Sequence, residues 1–598
     1  MMRSNVVRGI ILARLQPTPS ISLRCWQPVL QLQLKRLLSE ETSPTADKEV
    51  DILIVGSGAG GLTAALRART LGLNPVVIEK EATLGGASVI SGGGLWIPAN
   101  PISKAAGIND SKEDALAYFD RAVGDVGPVS SLAKRKAYLD NGPQMICFLR
   151  DLGFEWRFSR RYPDYYPKTK GAMGKGGGRT IESVAFDTRK LGKWQAALPP
   201  ANIPVAIHGE QAPWITMMTA SLQAFIKSTR IMLPIVCKTI LGQKLVSLGR
   251  GLIAQLLYLN IKHATDIRLR TSFLDLTLSQ AGKVTGARVK LPDGTTKTIN
   301  ASRAVILAAG GFAHNKPLRE KYGPTPASTS WTNSPKSDTG DAVIAGQKLG
   351  AATALMDDAW WGPTIFDPVT GKPHFALIER SRPHCIIVDN AGKRFMNEAQ
   401  SYTDAGHDQY ERNKSVKAIP AWLIMDTNHR NRYMLGTQLF ARMKPKKPVA
   451  NGTMFAASTL RDLAKQIGVD AEGLEGTIMR YNDMCKTGVD ADFGKGDNAY
   501  DNFFGDPAAG GPNPNMGALS KAPFYAIAIW PGDLGTKGGL VTDEHQRVLK
   551  EDGEAIPGLY AIGNTAASIM GRTYLGAGST LGPAMTHGFL AVNHIAES

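Results

Sequence analysis

One segment narrows the choice of fold more than any other: KEVDILIVGSGAGGLTAALRARTLGLNPVVIEK, residues 48–80. Asp51–Val55 reads as a short apolar strand, and an alanine- and leucine-rich helix follows it. A second apolar strand then ends in Glu79. Between the first strand and the helix, Gly56, Gly58 and Gly61 spell GxGxxG, with Gly60 as an extra glycine. Each glycine has a mechanical reason: Gly56 permits the tight turn, Gly58 lets a pyrophosphate approach the backbone, and Gly61 lets helix pack on strand. An acid at the end of the second strand stands at ribose-binding distance. The segment predicts a βαβ unit that holds a dinucleotide on a helix N-terminus.

The rest of the chain selects which dinucleotide. Directly after Glu79 comes KEATLGGASVISGGGLWIPAN. RAVILAAGGF (303–312) and GLYAIGN (558–564) each read as a strand running into glycine. A βαβ unit at the start with a second cofactor-side segment at the far end is the layout of two-dinucleotide-binding-domain flavoproteins. No second GxGxxG with its acid exists to serve a dedicated NAD(P)H domain. The expected cofactor is FAD. Its expected contacts are Gly56, Gly58, Gly60, Gly61, Glu79, Lys80, Gly86, Ala87, Ser88, Gly310, Gly563, Asn564, Ser579 and Leu581. The expected fold class is α/β: a Rossmann-like FAD-binding domain built from N- and C-terminal segments, with an inserted α+β catalytic domain. The expected boundaries are a basic extension at 1–47, the first FAD-binding part at 48–357, the catalytic domain at 358–536 and the second FAD-binding part at 537–598. A 598-residue chain is too long for one ordinary core.

Charge is unevenly placed. The net charge is +17, and residues 1–39 contain Arg3, Arg8, Arg14, Arg24, Lys35 and Arg36 with no acid before Glu40. That pattern fits a mitochondrial presequence or a disordered basic extension. No basic–aromatic motif accompanies the charge, so nucleic-acid binding is not expected. Five scattered cysteines, with no CxxC and no metal-like cluster, point to a reducing, intracellular setting and to no metal site. No apolar run is long enough to span a bilayer. Residues 224–263 mix apolar residues with Lys and Arg, most densely near 224–248. This stretch reads either as an amphipathic element on a membrane surface or as a buried helix pair with basic solvent faces.

Several longer motifs resemble the 3-ketosteroid Δ1-dehydrogenases, within the wider fumarate reductase and succinate dehydrogenase flavoprotein group. They are GGASVISGGGLWIP, YPDYYP (162–167), TGDAVIAGQKLGAATALMDDAW (339–360), VDNAGKRFMNE (388–398), DLGTKGGLVTD (533–543) and GRTYLGAGSTLGPAM (571–585). The resemblance spans about residues 48–598. It implies four catalytic groups: Tyr574 and the Gly578 N–H as donors to a 3-keto oxygen, Tyr402 as the base for the C2 proton, and Tyr165 as support for that base. The chain departs from the family in YLGAG, where a proline commonly follows the tyrosine, in the basic stretch near 224–248 and in its long N-terminus.

These groups suit the chemistry. A C2 hydrogen beside a ketone is acidic only if charge can collect on the oxygen, which two preorganised donors permit. Residue by residue the tyrosines carry little weight, since most of the fifteen in the chain are expected to pack. Tyr165 sits among Tyr162, Tyr166 and Phe158 and taken alone reads as core. Fumarate reductase-type chemistry is the nearest rival, and it needs Arg and His clamps for a dicarboxylate. The corresponding places here hold Tyr402, a DLGTKGG segment without His, and Tyr574. Δ4-(5α)-dehydrogenation of the same steroids is a second rival. A non-enzymatic binding protein would tolerate a damaged phosphate loop, and this loop is intact. The expected substrate is a 3-keto steroid or a steroid-like tetracyclic triterpenoid. The electron acceptor is left open between a quinone-like molecule and oxygen, and peripheral membrane contact is a further expectation.

Overall fold

The computed structural model describes residues 50–200, 205–437 and 452–598; the basic extension, Cys25 included, lies outside them. The first unit is β1 (Ile52–Val55), α1 (Ala59–Thr70) and β2 (Pro75–Ile78). Further on come α2 (Leu222–Ile240), α3 (Leu248–Lys262), β3 (Asp266–Arg268) and β4 (Ala304–Leu307). The middle of the chain supplies β5 (Ala359–Phe366), β6 (Pro373–Phe375), β7 (Cys385–Val388), α4 (Tyr402–Asn413), β8 (Ala421–Met425), β9 (Phe455–Ala457) and β10 (Phe524–Thr536). The chain closes with β11 (Arg547–Leu549), β12 (Ala555–Ala561) and α5 (Leu581–Glu597).

Two six-stranded sheets organise these elements. The first has the order β11-β12-β4-β1-β2-β3. Its pairs are parallel except for β11 with β12. The C-terminal strand β12 thus lies beside β4, with Leu559 opposite Val305. Both faces of this sheet are covered, as parallel strands require. In β1, Ile52 and Ile54 join one apolar cluster, with α1, α3 and α5, while Leu53 and Val55 join the other, with Phe312, Val343 and Leu540. The second sheet runs β6-β5-β10-β8-β7 with β9 alongside β10, all antiparallel. Residues 49–598 nevertheless form one compact unit rather than two separate bodies.

The basic apolar stretch divides into two unlike parts. Helix α3 is buried, with Leu252, Ile253, Leu256 and Leu257 in the core. Helix α2 is not: Leu222, Phe225, Ile226, Leu233, Val236 and Ile240 are exposed. A buried helix pair therefore describes α3 and fails for α2. Among the described residues no helix is long and apolar enough to cross a membrane, and the four described cysteines are free.

Candidate active site

The glycines of the first turn do different jobs. Gly56 has φ +109°, and a Cβ there would lie 2.4 Å from the Ala308 carbonyl oxygen. At Gly61 a Cβ would lie 2.2 Å from the Gly56 oxygen, so helix packs directly on strand end. Gly60 is needed for another contact, since its Cβ would meet the Ala584 oxygen of α5 at 2.6 Å. At Gly58 a Cβ would meet only Ser88 Oγ, at 3.5 Å. Gly58 is the N-cap of α1 and no side chain caps it. The helix's first turn thus offers backbone donors in an open place, with Ser88 Oγ accepting from Ala59 N–H at 3.1 Å.

The other expected contacts frame the same end of the sheet. Glu79 follows β2 and accepts from Ser57 N–H (3.2 Å) and Ser57 Oγ (2.6 Å). Gly86, Ala87 and Ser88 begin the short helix Gly86–Ile90, and a Cβ on Gly86 would meet nothing. Gly310 (φ +81°) follows β4 against Asp338. Gly563 and Asn564 follow β12, with Asn564 Oδ1 accepting from Trp360 Nε1 at 3.1 Å. Lys80 is committed elsewhere: its ammonium bonds Asp341 and Thr339, each at 2.7 Å. Ser579 Oγ bonds the Gly576 N–H (3.0 Å) and oxygen (2.8 Å) inside a turn, and Leu581 opens α5. Two helix starts without side-chain caps, an acid at the end of β2 and a glycine cradle fit a dinucleotide.

Three buried phenols meet beside this cradle. Tyr574 and Tyr165 are stacked with centroids 5.1 Å apart and an interplanar angle of 16°. Tyr402 stands edge-on to both, 4.8 Å from Tyr574 and 5.4 Å from Tyr165. Tyr165 O–H donates to Tyr402 Oη at 3.5 Å. The three rings come from separate segments: the loop after strand Trp156–Phe158, the first residue of α4, and the loop before α5. Burial, the largest cause, raises the Tyr574 hydroxyl above its ordinary pKa, against hydrogen bonds from Tyr402, Thr580 and the Gly578 N–H, which favour the charged form. Burial also pushes Tyr402 and Tyr165 well above the ordinary phenol range.

The Tyr574 loop is fixed by its glycines. Gly578 has φ +100°, and a Cβ there would lie 2.3 Å from the Gly94 oxygen. At Gly576 a Cβ would strike the Trp96 ring at 2.3 Å. Trp96 is held in turn by Asp164, which accepts from its Nε1 at 2.7 Å and from Arg179 at 2.8 Å. Asp164 immediately precedes Tyr165, so one buried carboxylate orients both the loop floor and the phenol. Leu575 O closes the set by accepting from Tyr165 N–H at 2.9 Å.

Other residues in the wall escaped sequence reasoning. Trp360 meets Tyr574 edge-on at 5.3 Å, Phe375 meets Tyr402 at 5.0 Å, and Tyr500 packs on Tyr165 at 4.3 Å. Tyr166, Asp404 and Lys537 lie behind Tyr574. Each is a common core residue type in an ordinary local pattern. Only adjacency to a named tyrosine marks Tyr166 and Asp404.

Comparison with known proteins identifies the family. The model of the FAD binding domain family matches residues 51–581. The 3-oxosteroid 1-dehydrogenase of Mycobacterium tuberculosis strain H37Rv is 41% identical over 564 residues, covering 92% of this chain and 99% of that one. The 4-oxocyclohexanecarboxylate 2-dehydrogenase of Sinomonas cyclohexanicum is 36% identical, covering 91% and 92%. A solved 3-ketosteroid delta1-dehydrogenase from Sterolibacterium denitrificans, in complex with 1,4-androstadiene-3,17-dione, aligns with TM-score 0.86 and 38% identity, covering 92% and 99%. The chain belongs to the FAD binding domain family and, inside it, to the 3-oxosteroid 1-dehydrogenases, FAD-dependent oxidoreductases of CH–CH groups.

Proposed function

We propose that this enzyme introduces a C1–C2 double bond into a 3-keto steroid or a steroid-like tetracyclic triterpenoid. The observation that carries the reading is the meeting of three buried phenols, Tyr574 stacked on Tyr165 at 5.1 Å and Tyr402 edge-on to Tyr574 at 4.8 Å. Two donors, the Tyr574 hydroxyl and the Gly578 N–H, take the 3-keto oxygen and hold the charge that grows there, each worth about 3 kcal/mol. Tyr402, once its own proton has left to solvent, accepts the C2 proton as the phenolate. A neutral phenol is a poor base, and burial makes its ionisation harder. The bond from Tyr165 works against that penalty, because it favours charge on Tyr402 Oη. Bound FAD supplies the acceptor for the C1 hydride. The aromatic wall of Trp360, Phe375 and Tyr500 suits an apolar ring system, and positions 402 and 574 carry phenols where a dicarboxylate would need cations.

Anaerobic bleaching of the bound flavin tests the substrate class. A series of 3-ketosteroids and tetracyclic triterpenoid 3-ketones is expected to bleach it fast, and a one-ring keto acid slowly. Fast bleaching by the one-ring acid alone, or by succinate, overturns the reading.

The second partner we propose is an anionic lipid surface, contacted through α2. Apolar side chains stand exposed along this helix. From Gln211 to Thr265 the chain has six Lys and Arg and no Asp or Glu. Helix α2 is seated by Ser228 Oγ on Trp214 O (2.9 Å) and by Lys227 over the Trp214 ring (3.5 Å). The buried Arg382 ties that seat to the second sheet, donating to Pro213 O at 2.6 Å. Apolar exposure with one sign of charge complements anionic headgroups, and sterol-like substrates partition into such a surface. The electron acceptor we infer is small and either quinone-like or oxygen, since no second dinucleotide fingerprint accompanies the first.

A further inference from the structure

The three segments that carry the three tyrosines are joined at one phenol outside the catalytic set. Tyr574 N–H donates to Tyr166 Oη at 3.3 Å, and Tyr166 O–H donates to Asp404 Oδ1 at 3.0 Å. Tyr166 follows Tyr165 in the chain. Asp404 lies two residues after Tyr402 in the first turn of α4. We propose that Tyr166 and Asp404 form a clasp that sets Tyr574 against Tyr402, which makes both of them positioning residues for the proton-transfer step. This inference rests on the reading of Tyr402 and Tyr574 given above.

The neighbouring bonds show what the clasp adds. Thr573 O accepts from Lys537 Nζ at 2.9 Å, and Leu575 O accepts from Tyr118 O–H at 2.8 Å and from Tyr165 N–H at 2.9 Å. Tyr118 Oη itself accepts from Tyr166 N–H at 3.1 Å. The carbonyls flanking Tyr574 are thus held to Tyr118, Tyr165 and Lys537. The Tyr166–Asp404 chain is what ties the Tyr574 backbone to α4, where Tyr402 sits. Its polarity is defined by arithmetic. Tyr166 has one proton to give and spends it on Asp404, so a lone pair faces the Tyr574 N–H. A carboxylate, which can only accept, enforces that order.

Charge around the clasp supports it. Burial pushes the Asp404 carboxyl up to about 6; His407 on its own helix, the Tyr166 hydroxyl and Lys537 pull it back, and Asp408 opposes them. Burial brings Lys537 down to about 8, with Asp358 and Asp404 raising it and Arg572 lowering it. Lys537 also lies 4.7 Å from the centroid of Trp360, the ring that stands edge-on to Tyr574. Lys537 pairs with Asp358 at 3.7 Å, and above about pH 6 Asp404 is ionised and the clasp holds its polarity. As pH falls through about 6, Asp404 takes a proton and no longer requires Tyr166 to be the donor.

The test uses the flavin-loaded enzyme with a 3-ketosteroid, measuring anaerobic flavin reduction against pH. Flavin content and thermal unfolding serve as controls for Tyr166→Phe, Asp404→Asn and Tyr574→Phe. The clasp predicts a wild-type rate that falls below about pH 6, and a lower Asp404→Asn rate from which that limb is missing. Tyr166→Phe should lower kcat on the order of tenfold with little change in KM, since a small misplacement of a reacting group is costly. Tyr166→Phe added to Tyr574→Phe should cost nothing further, because the clasp acts through Tyr574. If the phenylalanine variant loses flavin, the pH profile of the near-isosteric Asp404→Asn decides alone. Additive losses in the double variant, or an acid limb retained in Asp404→Asn, overturn the clasp. A wild-type rate in Tyr574→Phe would instead overturn the site reading beneath it.

Discussion

Tyr402 and Tyr574 carry the same hydroxyl, yet the proposed mechanism gives them opposite proton duties, and phenylalanine at each position separates the two. Tyr402→Phe keeps the ring and its contact with Phe375, so substrate should still bind while turnover falls by about 10²-fold or more. Tyr574→Phe removes one of two donors to an oxygen whose charge grows in the transition state. Its kcat and kcat/KM should therefore fall together, by about 10²- to 10³-fold. Steady-state and single-turnover rates check both, and a wild-type rate for Tyr402→Phe would pass the role of base to another group. The glycine fingerprint splits in the same way. Gly58→Val has room in the fold beyond Ser88 Oγ, so it should give folded, colourless protein. Gly60→Val would drive atoms into the Ala584 oxygen and should cost roughly 1–3 kcal/mol or more of stability, which thermal unfolding reads. Full flavin occupancy in Gly58→Val would contradict the cradle assigned to it. The sequence could not assign Gly60 this way, since its constraint comes from a helix more than five hundred residues downstream.

Among elements, legibility followed the range of the forces involved. β1, α1 and β2 could be read because local pattern dictates them: apolar strands, a glycine turn, and an acid at the second strand's end. Helices α2 and α3 could not be told apart, because basic apolar sequence fits a buried helix with a wet edge and a surface helix alike. Only tertiary packing buries Leu256 and leaves Leu233 in solvent. The clasp was illegible for a related reason: Tyr166 and Tyr574 meet across 408 residues of sequence. If α2 meets lipid, the protein should float with anionic vesicles at low salt and detach at high salt. Leu222→Asp together with Leu233→Asp should abolish flotation and leave the flavin spectrum unchanged, because neither side chain is buried. Failure of the wild-type protein to float at low salt would remove the lipid surface as a partner.

At the scale of the whole molecule, the architecture explains how one site draws on distant sequence. The first sheet is assembled from both halves of the chain, with β12 laid parallel beside β4, so the chain leaving β12 starts from the same end of the strands as the first glycine turn. The second sheet presents β5, β6 and α4, and with them Trp360, Phe375 and Tyr402. In the proposed mechanism the donors for the ketone oxygen come from the loop before α5 and the base comes from α4, which follows the second sheet's strands. The proposed mechanism places Tyr402 on the C2 side of the seated ketone, and that placement can be tested. The most direct measurement is the position of the new double bond. A saturated 3-ketosteroid deuterated separately at C1, C2, C4 and C5 would be turned over once, and the product analysed by NMR and mass spectrometry. The account predicts loss of label from C1 and C2 and a C1–C2 double bond; loss from C4 and C5, with C1 and C2 labels intact, would contradict it.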